Sequence, residues 1–263
     1  MKLIDTHSHL YAEEFDGDRE EAFARAAAEG VEHLLLPAIN STTHEALFDL
    51  CRKHPDRCTP MMGLHPTSVN ELPDWRGELQ KVEGYLRQPP EGIARFSAIG
   101  EIGLDFYWSK DFVKEQMEAF RTQIEWSIEF GLPIAVHTRD AWEETVCLMR
   151  EYKGRGVRGV FHAFSDTIDT YHALKETGDF VFGIGGVVTF KKSQVAEVVR
   201  EMDMRDIVLE TDCPYLTPVP YRGKRNESAY VRFTCAKVAE LKGLTPEEVG
   251  EITTANARRM FMQ

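Results

Sequence analysis

Two histidines, His7 and His9, stand two positions apart directly after the apolar pair Leu3-Ile4. Residues i and i+2 of an extended strand share a face. The spacing therefore predicts two imidazoles projecting together, which is half of a divalent-metal site. Later motifs supply the other half. His65 lies in Gly63-Leu64-His65-Pro66, Glu101 in Gly100-Glu101-Ile102-Gly103-Leu104-Asp105, His137 in His137-Thr138-Arg139, and Asp212 in Glu210-Thr211-Asp212. His162 ends another apolar run, Val160-Phe161. Five of the nine histidines fall in these few places. Jointly they predict a mixed imidazole–carboxylate site for two divalent cations: His7, His9 and Asp212 on one, His137 and His162 on the other, and Glu101 bridging. Such donors suit Zn, Mn, Co or Fe and tolerate Mg less well.

The chemistry offered is hydrolysis. A two-metal site activates a water and clamps the oxygens of a phosphoryl group, with Asp212 both holding metal and taking the proton of the water. Phosphate also calls for donors to its non-bridging oxygens. Candidates are Arg139, on the face of His137, the cluster Arg222, Lys224 and Arg225, and His65. Glu210 and Asp105 are read as orienting ligands. Tyr107 and Trp108 offer rings for stacking, a lid or packing. Lys191 and Lys192 read as a solvated helix start, and His33, His44, His54 and His172 as structural or surface residues.

Strands must carry these side chains to one place. Eight strand-like segments recur near 2–7, 33–38, 59–64, 96–102, 133–138, 158–163, 180–185 and 206–211, each followed by a helical pattern. Runs such as His33-Leu34-Leu35-Leu36 and Pro133-Ile134-Ala135-Val136 are apolar on both faces, as in a parallel sheet covered by helices. Val113, Met117, Phe120, Ile124 and Ile128 mark one helical face, which Gly131 and Pro133 stop. Thr245-Pro246-Glu247-Glu248 reads as an N-cap, an N1 proline and a capping-box glutamate. Eight βα units predict an α/β fold, a single-domain TIM (β/α)8 barrel over residues 1–263, with functional residues at the C-terminal strand ends. A doubly wound open sheet is the alternative, but Gly183-x-Gly185-Gly186 is misplaced for its phosphate loop.

Bulk properties narrow the function. The chain has 263 residues, is 43% hydrophobic and carries a formal charge of −12. That charge excludes a broad nucleic-acid-coating surface and confines any polyanion to a local cleft. No apolar run is long enough to span a bilayer, and no signal-peptide pattern opens the chain. Five cysteines without CxxC spacing read as reduced and structural. These features predict a cytoplasmic protein with no membrane association and no obligate protein partner.

The chain resembles the TatD-type metal-dependent deoxyribonucleases of the amidohydrolase-like barrels. The resemblance runs the full length and rests on Asp5-Thr6-His7-Ser8-His9, Gly63-Leu64-His65-Pro66, Gly100–Asp105, Val136-His137-Thr138-Arg139, His162-Ala163-Phe164, Glu210-Thr211-Asp212, Arg222–Glu227 and Asn256-Ala257. It implies His7, His9, Glu101, His137, His162 and Asp212 as metal ligands and two divalent cations drawn from Mg, Mn, Zn or Co. It also implies a 3′–5′ exonuclease acting on DNA held at the barrel mouth. The alternative within the same site is an ester or amide hydrolase, such as a D-aminoacyl-tRNA deacylase with tRNA as partner. Cys213 stands where that family usually has serine or alanine, and Ser228 where it usually has proline, a change expected to loosen the loop after the eighth strand.

Overall fold

The computed structural model describes residues 1–262. Its strands are β1 (Leu3–Asp5), β2 (Val31–Pro37), β3 (Cys58–Met61), β4 (Ile99–Asp105), β5 (Ile134–Arg139), β6 (Arg158–Phe161), β7 (Asp179–Ile184) and β8 (Ile207–Leu209). Helices α1 (Arg19–Ala28), α2 (His44–Lys53), α3 (Pro66–Glu71), α4 (Trp75–Arg87), α5 (Val113–Phe130), α6 (Trp142–Glu151), α7 (Ile168–Lys175), α8 (Gln194–Glu201), α9 (Val231–Lys242) and α10 (Pro246–Phe261) alternate with them. All strand pairs are parallel, in the orders β1-β2-β3 and β4-β5-β6-β7-β8.

Two seams of irregular backbone bonds join these sheets into the expected (β/α)8 barrel. Next to β3 and β4, Met62 N donates to Ala98 O at 3.1 Å and Ser97 N to Pro60 O at 2.9 Å. Between β1 and β8, Thr6 N donates to Leu209 O at 3.0 Å and Asp212 N to His7 O at 2.9 Å. Inside, each strand or its edge sends one small or medium apolar residue to a shared cluster: Ile4, Leu35, Met61, Ala98, Ala135, Val160, Val181 and Val208. Ala257, Met260 and Phe261 of α10 complete this cluster and so floor the barrel. α10 begins as its sequence predicts, with Pro246 in the first turn and a reciprocal Thr245–Glu248 capping box, a device that stabilises a helix start by about 1 kcal/mol. α5 ends at Gly131 in the left-handed conformation, also as predicted.

Several strand ends differ from the expected spans. β1 stops at Asp5, β6 at Phe161 and β8 at Leu209, so His7, His9, His162 and Asp212 sit just beyond strands rather than on them. The cause is competition for backbone donors. Asp5 accepts from His7 N at 3.4 Å and from Thr211 N at 2.9 Å, and Glu210 accepts from Ala163 N at 2.6 Å. These carboxylates replace carbonyls of the ladder. β4 runs later than expected because Ile102–Asp105 continue to pair with Val136–Arg139. The loop after β8 is tied rather than loosened: buried Ser228 meets Ser8 Oγ at 3.0 Å, and Cys213 Sγ meets the same oxygen at 3.1 Å. All five cysteines are free thiols, Cys147 exposed and the others buried.

Candidate metal centre

Glu101 lies mid-strand in β4 with its carboxylate at the centre of the mouth. Its Oε2 is 3.1 Å from His7 Nε2 and 3.7 Å from His9 Nε2. Its Oε1 is 3.1 Å from His137 Nδ1, 3.4 Å from His65 Nε2 and 3.6 Å from His162 Nε2. Asp212 Oδ1 closes the ring, 3.4 Å from His9 Nε2, 3.8 Å from His7 Nε2 and 4.0 Å from His162 Nε2. All six candidate ligands therefore meet, and His65 joins them. The side chain of Glu101 is 3% exposed and that of Asp212 15%, so Asp212 is the carboxylate open to an incoming molecule.

Outer partners settle which nitrogen of His9, His137 and His65 faces inward. Tyr11 donates its hydroxyl proton to Pro37 O at 2.6 Å, so its oxygen accepts from His9 Nδ1–H at 2.9 Å. His9 Nε2 then turns a lone pair into the centre. His137 donates from Nε2 to Asp105 Oδ2 at 2.9 Å and presents Nδ1. His162 lies with Nδ1 3.0 Å from Glu210 Oε1, an ion-pair distance without hydrogen-bond alignment, and with Nε2 toward the centre. Carboxylates behind imidazoles are the usual support of metal-binding histidines. His65 is reversed. Its Nδ1 accepts from Thr67 N at 3.2 Å as the N-cap of α3, so Nε2 carries the proton and points it at the centre. His65 is placed as a donor.

This arrangement fits divalent cations. His7 Nε2 lies 3.3 Å from His9 Nε2 and 3.1 Å from Glu101 Oε2, a crowding of electron-rich atoms that a cation relieves. Two ligand groups fall within coordinating reach, His7-His9-Asp212 and His7-Glu101-His162, and Glu101 and His137 lie equally close to the donor His65. Electrostatics agree. Burial pushes Glu101 up, yet the imidazoles of His7, His65 and His162 and the His137 hydrogen bond hold it well below the usual carboxylate range. Burial pulls His162 down, but Glu210, Glu101 and Asp212 raise it to about 10. The centre thus draws positive charge, and metal binding there displaces a proton.

Two glycines are required by this geometry. A Cβ on Gly183 would lie 2.0 Å from Glu210 Oε2, and one on Gly103, at φ +137, would lie 2.0 Å from the His137 carbonyl oxygen.

His162 Nε2 and His137 Nδ1 both face Glu101 Oε1, at 3.6 and 3.1 Å, while the His162 ring also stacks on His7 at 3.5 Å. The structure departs from the sequence reading at one residue. Arg225, expected to hold phosphate, spends its guanidinium on Asp18 at 2.7 Å and on Glu14 O, strapping the loop after β8 to the segment before α1. An acidic neighbour in an acidic chain has captured it. The other expected phosphate donors sit at the rim, Arg139 at the end of β5 and Arg222 and Lys224 on the loop after β8. Arg139 is exposed and stacks on Tyr107 at 3.6 Å, Arg222 lies over Phe190 at 4.3 Å, and Lys224 lies 5.7 Å from the Tyr221 ring. Tyr11 was not read as a site residue, although its place two positions after His9 repeats the His7–His9 spacing.

A profile of the family described as TatD related DNase matches residues 4–262. The chain is 38% identical over 264 residues to "Uncharacterized metal-dependent hydrolase YabD" of Bacillus subtilis (strain 168), covering 98% of each. It is 29% identical over 264 residues to "3′-5′ ssDNA/RNA exonuclease TatD" of Erwinia tasmaniensis, covering 98% of this chain and 99% of the other. Among solved structures it matches YJJV, described as a TatD homolog from Escherichia coli K12, with a TM-score of 0.88 at 24% identity over 99% and 98% of the two chains. That last likeness concerns the fold.

Proposed function

The chain belongs to the family of TatD-related DNases and is a metal-dependent hydrolase; from that premise we propose that it cleaves phosphodiester bonds of a nucleic-acid strand, as a 3′–5′ exonuclease on DNA. The observation that carries this reading is the placing of unpaired charge. Although the chain is acidic by 12 charges, Arg139, Lys191, Lys192, Arg222 and Lys224 have no ion-pair partner among the described residues. Arg139 ends β5 and the others follow β7 or β8, at the rim around the metal centre. A local basic rim on an acidic body suits a polyanion bound only at the mouth. The name of the Erwinia relative supports the same reading.

When bound, divalent cations supply Lewis-acid polarisation of the phosphoryl group and acidify a water. The residues to hold them are His7, His9 and Asp212 on one side and Glu101 with His137 and His162 on the other. Asp212, the more open carboxylate, accepts the proton of the attacking water. His65 Nε2–H donates to a phosphate or leaving oxygen, its direction held by the α3 cap. Arg139 and the loop cations Arg222 and Lys224 position the backbone phosphates.

The test is an assay of 3′-labelled single-stranded DNA beside D-aminoacyl-tRNA, with protein reconstituted with Mn, Zn, Co or Mg. Metal-dependent release of the DNA label, lost in Asp212→Asn, is expected. Cleavage of the aminoacyl ester with the DNA left intact would overturn the phosphodiesterase reading.

A further inference from the structure

The loop between β4 and α5 carries Tyr107 and Trp108, which are 53% and 68% exposed. Isolated exposed apolar side chains are ordinary, but clustered ones mark a binding surface. Apart from Met1, the large apolar side chains exposed among the described residues are Tyr107, Trp108, Tyr215, Leu216 and Val219. They occupy two loops, and both loops are bonded to the metal centre. Tyr107 N donates at 3.1 Å to Asp105 Oδ1, whose other oxygen holds His137. Tyr215 N donates at 2.8 Å to the carbonyl of Asp212.

The two rings are also held in place. Arg139 presses its guanidinium on the face of Tyr107 at 3.6 Å and stands 5.6 Å from Trp108. Trp108 meets Tyr107 edge-on at 5.0 Å. Arg139 therefore covers Tyr107, while Trp108 keeps most of its surface in water. Arg139 carries no carboxylate, so its remaining N–H groups are available to an anion. An indole for a planar ring sits beside a guanidinium for a phosphate.

We propose that Trp108, backed by Tyr107 and Arg139, is a stacking platform for one unpaired nucleobase of the substrate. This rests on the nucleic-acid reading above. Stacking is tolerant of base identity because every base has a π-face, so the platform raises affinity for a base-bearing strand without reading its sequence.

The test compares a single-stranded oligonucleotide with one of equal length built from abasic units, on metal-loaded wild type and Trp108→Ala. Wild type is expected to show a KM roughly 10-fold or more lower for the base-bearing strand. In Trp108→Ala that preference collapses toward unity. An unchanged preference in Trp108→Ala overturns the platform. Binding of a 2-aminopurine-labelled single strand, read by quenching of its fluorescence, gives the same comparison without turnover. If wild type cleaves neither strand, the phosphodiesterase reading fails, and quenching that is lost in Trp108→Ala still upholds the platform. Equal quenching by both proteins refutes it.

Discussion

His44, at the start of α2, is 2% exposed, and neither of its ring nitrogens has a hydrogen-bond partner. Its ring packs against Tyr85 at 5.5 Å and Phe48 at 6.0 Å. Burial lowers its pKa from 6.5 to about 4, against a small opposing pull from Glu78. The depressed value sets the sign of its effect on stability. Above pH 7 the ring is neutral in both folded and unfolded chains, and nothing is lost. As pH falls below 6.5, only the unfolded chain takes up the proton, so the folded state loses ground until pH 4. At about 1.36 kcal/mol per pKa unit, the ceiling is about 3.4 kcal/mol, and about 2 kcal/mol is already gone at pH 5. His44→Leu removes this dependence and leaves other titrations in place. Urea unfolding at pH 8 and pH 5, followed by far-UV circular dichroism and tryptophan fluorescence, measures it. Between the two pH values the wild type is expected to lose about 2 kcal/mol more than the variant. Losses that agree within about 0.5 kcal/mol would refute the argument, that margin being the usual limit of additivity.

Three further outcomes follow from the metal centre. Asp105→Asn removes the charge behind His137 and is expected to weaken metal binding about 10- to 100-fold, measured by calorimetric titration with Mn or Zn. Gly183→Ala drives a methyl group into Glu210, so thermal or urea unfolding of the metal-free protein should show a loss of about 1–3 kcal/mol; unchanged stability would mean that Glu210 moves freely. Treatment with EDTA is expected to abolish hydrolysis and lower the melting temperature, and adding back a divalent cation in excess of its Kd to restore both.

Much of this protein was legible in its sequence for a physical reason. Strands buried on both faces leave unbroken apolar runs, as at Leu34-Leu35-Leu36 and Ile134-Ala135-Val136, and the polar residues that end such runs stand out. His137, His162 and Asp212 were visible in that way. Other features depend on partners distant in sequence. Arg225 reads as a phosphate donor until Asp18, 207 positions away, is brought beside it. The inward proton of His65 depends on a cap bond to Thr67 that a list of residue types does not contain. The short ends of β1, β6 and β8 depend on Asp5 and Glu210 taking backbone donors, a competition that hydrophobic patterning does not register.

The seam between β1 and β8 joins segments made at opposite times. Ser8 touches Cys213, 205 positions later, and Asp212 N bonds to His7 O across the same gap. During synthesis the histidine pair emerges long before the aspartate that completes its group. Contacts so far apart carry a large loop-closure entropy and form late. Ile4 meanwhile waits for Met260 and Phe261 to floor the barrel. Hydrolytic capacity is therefore acquired at the last steps of folding, and a stalled or shortened chain lacking Asp212 and α10 has neither the carboxylate that closes the ring of candidate ligands nor the floor that holds β1 in place.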